Sequence, residues 1–572
     1  MSFLTQDRSM SCKDRDTTLP IVGKTVVTRG LVTAVDSQDF YLQDAVGNGH
    51  IATSDALFVF TGKPPTVEVG DEIRVAGRIE EYIPDKADPR SLSVTRLVSP
   101  RITRLSEDNL LPPPMILGSD GRRPPTENSD DDAFSGFEPA TDGVDFFESL
   151  EGMRVTARNA VAMTGTNRAE EVFAVVDGAA SGLSVRGTLN IGPNDFNLKR
   201  IRIDADAHTL AGFERPLVHT GAVLGDITGV ISYDSGSFKL DPIRPFVPKA
   251  SNLVPERSEL MPGPQQLTVA SYNVLNLDPN DRDGDTDIAN GRFAAIAEHI
   301  RNHLRELDII GLQEIHDNSG LADDGAVAAN ITLQLLIDAI AASGGPGYAF
   351  IDHPFVGKNT DGHRPGVNVR TAFLYQPSRV TLSAVRSIMP ASLWRDSINP
   401  FVTDRSPLVV DFTFRGTTLT LVNNHFPSKY GSPPILGTEQ PFETQQEDPA
   451  INNRLDIRRV QAQVIEDFVD PILTASPDAR VIVLGALNEF ELVSPIADIL
   501  SNGLTNPVND LPEDERYSFI FLGNSHGLHT VQRCPETGCI RHRPYQCGVR
   551  GYTASRQRSR PGTRTLFHPG TP

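Results

Sequence analysis

Val269-Ala270-Ser271-Tyr272-Asn273, Ile309-Ile310-Gly311-Leu312-Gln313-Glu314, Leu421-Val422-Asn423-Asn424-His425 and Val481-Ile482-Val483-Leu484-Gly485-Ala486-Leu487-Asn488-Glu489-Phe490 share one design. Each is an apolar, strand-like run that ends in a carboxamide, a carboxylate or an imidazole. A central strand buried on both faces reads as a nearly continuous Val/Ile/Leu run, so a polar residue where the run stops sits at the rim of the sheet, open to water, metal and substrate. Singly, each residue has a plain reading: Asn273 satisfies backbone at a strand end, and Glu314 caps the loop that follows. The series argues for a shared site. Between the runs, Arg292 to Leu307 puts Phe293, Ile296, Ile300 and Leu304 on one helical face, and Ile457 to Phe468 does the same with Ile457, Val460, Val464 and Phe468. Helices therefore cover strands.

The order and wording of the four motifs resemble the endonuclease/exonuclease/phosphatase family, the metal-dependent phosphodiesterases of DNase I type, and in particular its bacterial extracellular-nuclease branch. The resemblance covers about Leu267 to Gly523. It implies an α/β (α+β) fold, a four-layered β-sandwich with helices outside, over 267–525. Phosphodiester hydrolysis needs a hard cation on a phosphate oxygen, a water deprotonated and aimed in line, and stabilisation of the developing charge. Oxygen ligands suit Mg²⁺ or Mn²⁺. By resemblance Glu314 is the principal metal ligand with Asn273 beside it, while His425 and Asn488 contact the scissile phosphate or orient water. Arg370, in Asn368-Val369-Arg370-Thr371-Ala372-Phe373-Leu374-Tyr375, matches a strand placed near substrate; as an arginine on a strand it also reads as a partner for a carboxylate. The implied partner is nucleic acid, DNA ahead of RNA, with no membrane and no protein partner called for.

The departures from the family pattern weigh as much. The family's Gly-Asp-Phe-Asn is Gly485-Ala486-Leu487-Asn488 here, so the carboxylate that helps activate or position water is replaced by a methyl. After Tyr517-Ser518-Phe519-Ile520-Phe521-Leu522-Gly523-Asn524-Ser525, where Leu-Asp-His should follow, the chain has Gly527-Leu528-His529-Thr530. The closing Ser-Asp-His motif is absent. From His526 the composition changes to eight Arg, no Lys, one acid and three Cys. Out-of-frame translation of GC-rich DNA produces such a mixture, and back-translation of Ile540–Arg550 and Gln557–Pro561 one nucleotide later can spell a strand-like run and Ser-Asp-His-Asp-Pro. The expectation is a frameshift between about Ser525 and Arg533, with 526–572 an aberrant tail lacking order after Ser525; sequencing the gene checks it. A basic tail for nucleic acid is the alternative.

The sequence has 572 residues and a net charge of -20. That charge argues against a broad basic surface for nucleic acid, since displacing counterions from phosphate requires Lys and Arg; a divalent cation can supply positive charge locally. No run approaches the roughly 18 apolar residues of a membrane helix, and Met1 to Arg8 lacks a signal-peptide h-region, so the sequence as written is expected to be cytoplasmic although the resemblance implies secretion. Cys12, Cys534, Cys539 and Cys547 form neither a disulfide framework nor a zinc pattern. In Asp278-Pro279-Asn280-Asp281-Arg282-Asp283-Gly284-Asp285-Thr286-Asp287, five carboxylates repel unless cation or solvent intervenes; a Ca²⁺ loop and a solvated loop both fit, and the spacing is not that of an EF-hand.

Ahead of this region, short alternating strands over 1–108 (Thr25 to Val35, Phe40 to Asp44, Ala56 to Phe60, Asp71 to Tyr82, Ser91 to Val98), with Gly30 and Gly77 inside them, predict a small curled barrel that looks like an OB-fold. Phe40, Tyr41 and Phe58 there read either as stacking surfaces for bases or as core. The Pro- and Asp-rich stretch 109–143 reads as a linker. Residues 144–248 read as a second small β domain with a hairpin turn at Asp234-Ser235-Gly236, and 249–266 as another linker. Two functions fit the chain: a divalent-metal-dependent nuclease or a relative acting on another phosphodiester, and a non-catalytic descendant that binds nucleic acid.

Overall fold

In the computed structural model, the described residues are 21–533 apart from 85, 87–90, 127, 133–134, 168, 178–181, 193–195, 205–208, 211–212, 214–215, 261, 358–367, 391–398, 402–403, 433–445 and 528. All four cysteines and the tail beyond 533 lie outside them.

Strands β1 (Thr25–Val35), β2 (Asp39–Gln43), β3 (Ala56–Phe60), β4 (Glu72–Tyr82) and β5 (Val94–Ser106) close into a barrel in the order β1-β2-β3-β5-β4. Alternation decides what fills it: Val32, Phe40, Leu42, Val59, Ile73, Val75, Ile79 and Leu97 point inward. Gly77 marks the tightest crossing, where a Cβ would lie 2.2 Å from Leu97 Cδ2. The base-stacking reading of the aromatics is corrected. Phe40 is fully buried, Tyr41 is buried against Phe58 with centroids 5.2 Å apart, and Tyr41 also meets Val230 of the next unit.

The second unit contains β6 (Met115–Leu117), α1 (Gly143–Glu148), β7 (Arg154–Ala162), β8 (Glu171–Val175), β9 (Leu189–Asn190), β10 (Ile201–Asp204), β11 (Val223–Asp234) and β12 (Ser237–Pro242). One sheet runs β11-β12-β10-β8-β7-β6, and β11 pairs back to β7. The β11–β12 hairpin turns where the sequence places it: Ser235 and Gly236 both have positive φ, as a two-residue hairpin loop requires. The linker reading of 109–143 is corrected, because β6 pairs in parallel with β7 and Leu117 enters the core with Val144, Phe146 and Phe147. Three apolar residues beside a ready strand edge suffice to dock a stretch whose composition is otherwise polar.

The third region is mixed α+β. Strands β13 (Val269–Leu277), β14 (Ile309–Ile315), β15 (Ala349–Ile351) and β16 (Arg370–Tyr375) form one sheet in the order β13-β14-β16-β15. Strands β17 (Thr381–Ser387), β18 (Leu408–Phe414), β19 (Thr417–His425), β20 (Arg480–Ala486) and β23 (His529–Arg533) form another in that order. Ile309 and Phe373 of the first pack with Val410, Leu421 and Leu484 of the second. Helices α2 (Arg292–Glu298) and α3 (Asn330–Ala342) cover the other face of the first sheet through Phe293, Ile296, Leu333 and Leu336, and α4 (Leu455–Ala475) covers that of the second through Ala462, Ile465 and Val469. The buried face of α4 is corrected by one step: Arg458, Gln461, Ala462, Ile465 and Val469 face inward, whereas Ile457 and Val460 are exposed. A charged partner for Arg458 turns the helix, as described below.

The expected loss of order after Ser525 is corrected for 526–527 and 529–533 and otherwise falls on residues outside the described ones. Strands β21 (Phe519–Phe521) and β22 (Asn524–His526) form a hairpin, β22 pairs with β9, and β23 pairs antiparallel with β20, so that His529 lies opposite Ala486. The edge of β20 is thereby covered within the described residues. No helix among them is long and apolar enough to cross a membrane.

Candidate active site

Asn273 and Glu314 owe their placement to a break in two ladders. The parallel pairing of β13 and β14 holds from Val269↔Ile309 to Asn273↔Gln313 and resumes at Leu277↔Ile315, so three residues on one strand oppose Glu314 alone on the other. The β14–β16 register shifts at the same place. Leu275, Asn276 and Glu314 take positive φ of 57°, 55° and 60°, a conformation that costs about 1 kcal/mol or more for residues with a side chain. Bulges re-aim side chains, and this one throws the Glu314 carboxylate out of the sheet alternation. Asn273 Nδ2 donates to Glu314 Oε1 at 2.8 Å, and His425 Nε2 lies 3.5 Å from the same oxygen. His425 ends β19 in the facing sheet. Two sheets therefore meet at one carboxylate oxygen.

Asn273 differs from the expected metal ligand. Its Oδ1 accepts from Leu275 N at 2.8 Å, so the amide turns its nitrogen, not its oxygen, toward Glu314. It positions the carboxylate. Glu314 is a half-buried single carboxylate, a donor set that fits Mg²⁺, which keeps several waters and takes one or two protein carboxylates beside substrate phosphates.

Asn488 follows β20 at φ 50°, and its Nδ2 donates to Phe426 O at 2.8 Å, tying it to the residue after His425. Ala486 pairs with His425 in the parallel ladder and is fully buried. Gly485 before it has φ 137°, and a Cβ there would lie 2.0 Å from Asn424 O, so only glycine lets the two strand ends run this close. Arg370 is corrected as a substrate contact: it is 2% exposed, its Nη1 reaches Asp352 Oδ1 at 3.2 Å, and its Nε and Nη2 donate to Asn368 O. The guanidinium belongs to the interior.

Three further groups escape sequence reading. Gln313 and Asn423, both fully buried, join the sheets: Gln313 Nε2 donates to Asn423 Oδ1 at 2.7 Å, and Asn423 Nδ2 donates to Leu312 O at 3.0 Å and Ala372 O at 2.9 Å. Glu489, fully buried beside Asn488, accepts from Arg458 Nε and Asn452 Nδ2 at 2.9 Å each and from Lys429 Nζ. It thus clamps the loops after β19 and β20 to α4. Lys429 Nζ also stands 4.2 Å from the Phe490 ring centre, and burial brings it down to about 7. Phe490 in turn packs on Phe196 of the second unit and stacks on His526. The signal in the sequence was Glu489 itself, a carboxylate following a β-run and preceding Phe490, but its cations lie 31 and 60 residues upstream.

In the acidic run, Asp278 and Asp287 are buried, and Asp278, Asp283 and Asp285 bring carboxylate oxygens within 4.8 Å of one another. Burial first, then the neighbouring carboxylates, push Asp278 up to about 7 and Asp285 to about 6. Asp281 accepts from Ile288 N and Ala289 N at 2.9 Å each, and Asp287 pairs with Arg292. The run is mixed: Asp278 and Asp287 are buried at its two ends, whereas Arg282, Gly284 and Asp285 between them are exposed.

Residues 116–252 match a family described as a domain of unknown function, DUF8508. No curated protein matches the sequence. Among solved structures, a humanized TDP2 of D. rerio is similar at 18% identity and a TM-score of 0.31, over 47% of this chain and 84% of that one. The catalytic domain of human Nocturnin with bound sulfate is similar at 14% identity and a TM-score of 0.30, over 47% and 83%. An endonuclease/exonuclease/phosphatase family protein from Bacteroides thetaiotaomicron is similar at 16% identity and a TM-score of 0.30, over 47% and 83%.

Proposed function

We propose that the chain is a divalent-metal-dependent phosphodiester hydrolase of the endonuclease/exonuclease/phosphatase type, acting on nucleic acid, with DNA as the first substrate and Mg²⁺ or Mn²⁺ as cofactor. The reading extends to a four-layered sandwich of DNase I type behind an OB-like barrel. The observation that carries it is the meeting of Asn273, Glu314 and His425 at one carboxylate oxygen where two sheets end. When bound, the cation supplies a Lewis acid at a phosphate oxygen. Glu314 would hold it, Asn273 fixes the carboxylate's direction, and His425 presents Nε2 to the same space, where an N–H can donate to a phosphate oxygen. Asn488 fixes the chain after His425. In this region a Ca²⁺ would be held by Asp278, Asp283 and Asp285.

A second reading rests on Ala486. It occupies the place opposite His425 that the resemblance gives to a carboxylate, and a methyl takes no proton. Such a chain binds nucleic acid and cleaves it slowly or not at all. The test is plasmid nicking by the purified protein with Mg²⁺ or Mn²⁺, before and after chelation, alongside Glu314→Gln. Slow, metal-dependent nicking that the variant loses supports hydrolysis. Nicking that Glu314→Gln leaves unchanged refutes the site, and metal-dependent retention of DNA without nicking selects the second reading.

A further inference from the structure

The second unit carries a carboxylate cluster independent of Glu314. Asp130, Asp132 and Asp142 bring one oxygen each within 4.8 Å of one another, and Asp131 and Glu138 approach Asp142 from the solvent side. Ligands of one Ca²⁺ bound at about 2.3–2.6 Å lie no more than about 5 Å apart, so the spacing suits that ion. Clustering alone would mean little. The second observation concerns Asp142, which stands at the N-cap of α1 yet makes no side-chain capping bond.

An aspartate at an N-cap ordinarily accepts from the second or third helical N–H. Here the first two helical N–H groups are taken by backbone instead: Gly143 N donates to Asn128 O at 3.0 Å and Val144 N to Ser129 O at 3.2 Å. The second helical N–H is thereby closed to the Asp142 carboxylate, which makes no capping bond. Asp142 is 1% exposed; one oxygen accepts from Asn128 Nδ2 at 2.6 Å, while Oδ2 is buried with no hydrogen-bond partner among the described residues. Oδ1 of Asn128 is likewise buried and unsatisfied, a neutral oxygen next to the cluster. A buried carboxylate oxygen without a donor is costly unless a cation meets it.

We propose that Asp130, Asp132 and Asp142 hold a calcium ion that fastens the acidic arm ahead of α1 to the second unit. The oxygen-only donor set and irregular loop geometry favour Ca²⁺ over Mg²⁺, which demands a near-ideal octahedron. The site is separate from the hydrolytic one and does not depend on the function proposed for it.

The experiment is calorimetric Ca²⁺ titration and thermal melting of the full-length protein after chelation and desalting. Variants are Asp142→Asn, the half-buried Asp132→Asn, and Asp283→Asn in the other acidic loop. Ca²⁺ at a hundredfold excess over Kd is expected to raise the Tm of the second unit by roughly 5 °C. Asp132→Asn and Asp142→Asn should each bind one Ca²⁺ fewer than the parent, and Asp283→Asn should keep the response of the second unit. If Asp142→Asn does not fold, Asp132→Asn decides. Parental stoichiometry in Asp132→Asn, no Ca²⁺ response at millimolar concentration, or an equal response to Mg²⁺ overturns the assignment.

Discussion

Replacing Glu489 by Gln tests whether the polar clamp behind the candidate site holds it together. The carboxylate is fully buried and takes Arg458 Nε, Asn452 Nδ2 and Phe490 N at 2.9 Å each, with Lys429 Nζ on Oε1. Glutamine keeps one acceptor oxygen and turns an NH₂ toward a group that is itself a donor. Lys429, already brought to about 7 by burial with Glu489 beside it, would lose its proton once the carboxylate is gone. Arg458 cannot, because a guanidinium does not deprotonate in proteins. One fully buried cation would then stand without an anion, at a cost of about 3–5 kcal/mol. Against a total of about 5–15 kcal/mol this is severe. At roughly 2–4 °C per kcal/mol, the calorimetric transition of the 267–533 region should fall by about 6–20 °C. If the unpaired charge is the cause, Glu489→Gln with Arg458→Met should recover at least about 2 kcal/mol, since an apolar replacement of a buried pair is often tolerated. A drop of less than about 3 °C, or a double variant as weak as the single, would refute the reasoning.

Three other outcomes are expected. Asn423→Leu removes the bonds to Leu312 O and Ala372 O and leaves Gln313 Nε2 with Gly311 O as its one remaining acceptor, which at about 1–3 kcal/mol per buried unmet group should cost roughly 3–5 kcal/mol in urea titration; a loss under 1 kcal/mol would mean that the sheets are not joined there. His353 is lowered to about 4, chiefly by burial, with Nε2 near Ser406 O at 3.0 Å and Nδ1 accepting from Phe355 N. Between pH 6.5 and 4 the unfolded chain binds a proton that the native imidazole does not, so stability falls with falling pH by up to about 3 kcal/mol, and His353→Gln should flatten that slope; parallel pH curves would count against it. Ala486→Asp should raise plasmid nicking by less than about tenfold, because groups of a cooperating set act together and the remaining acid–base motif is absent from the sequence; a hundredfold rise would show that this one carboxylate was the missing part.

The polar ends of β13, β14, β19 and β20 were legible because strand burial writes itself into composition: Val, Ile and Leu fill positions covered on both faces, and the polar residue where the run stops is conspicuous. The barrel, the β11–β12 hairpin and the buried face of α2 followed from period and turn chemistry, which are local. Other features depended on residues far apart in sequence. That Asn273 offers Glu314 its nitrogen is decided by Leu275 N–H and a three-residue bulge, and the retreat of Arg370 into the interior by Asp352 and Asn368 O. The inward face of α4 was misjudged because Arg458 looks like a surface residue until Glu489 is folded against it. The arm ahead of α1 read as linker because β6 needs only three apolar residues once β7 offers an edge. Sequence period records how much of each side chain is covered, a property of its own element; which charge meets which, and which backbone oxygen takes a helical N–H, is settled only when separate elements are brought into contact.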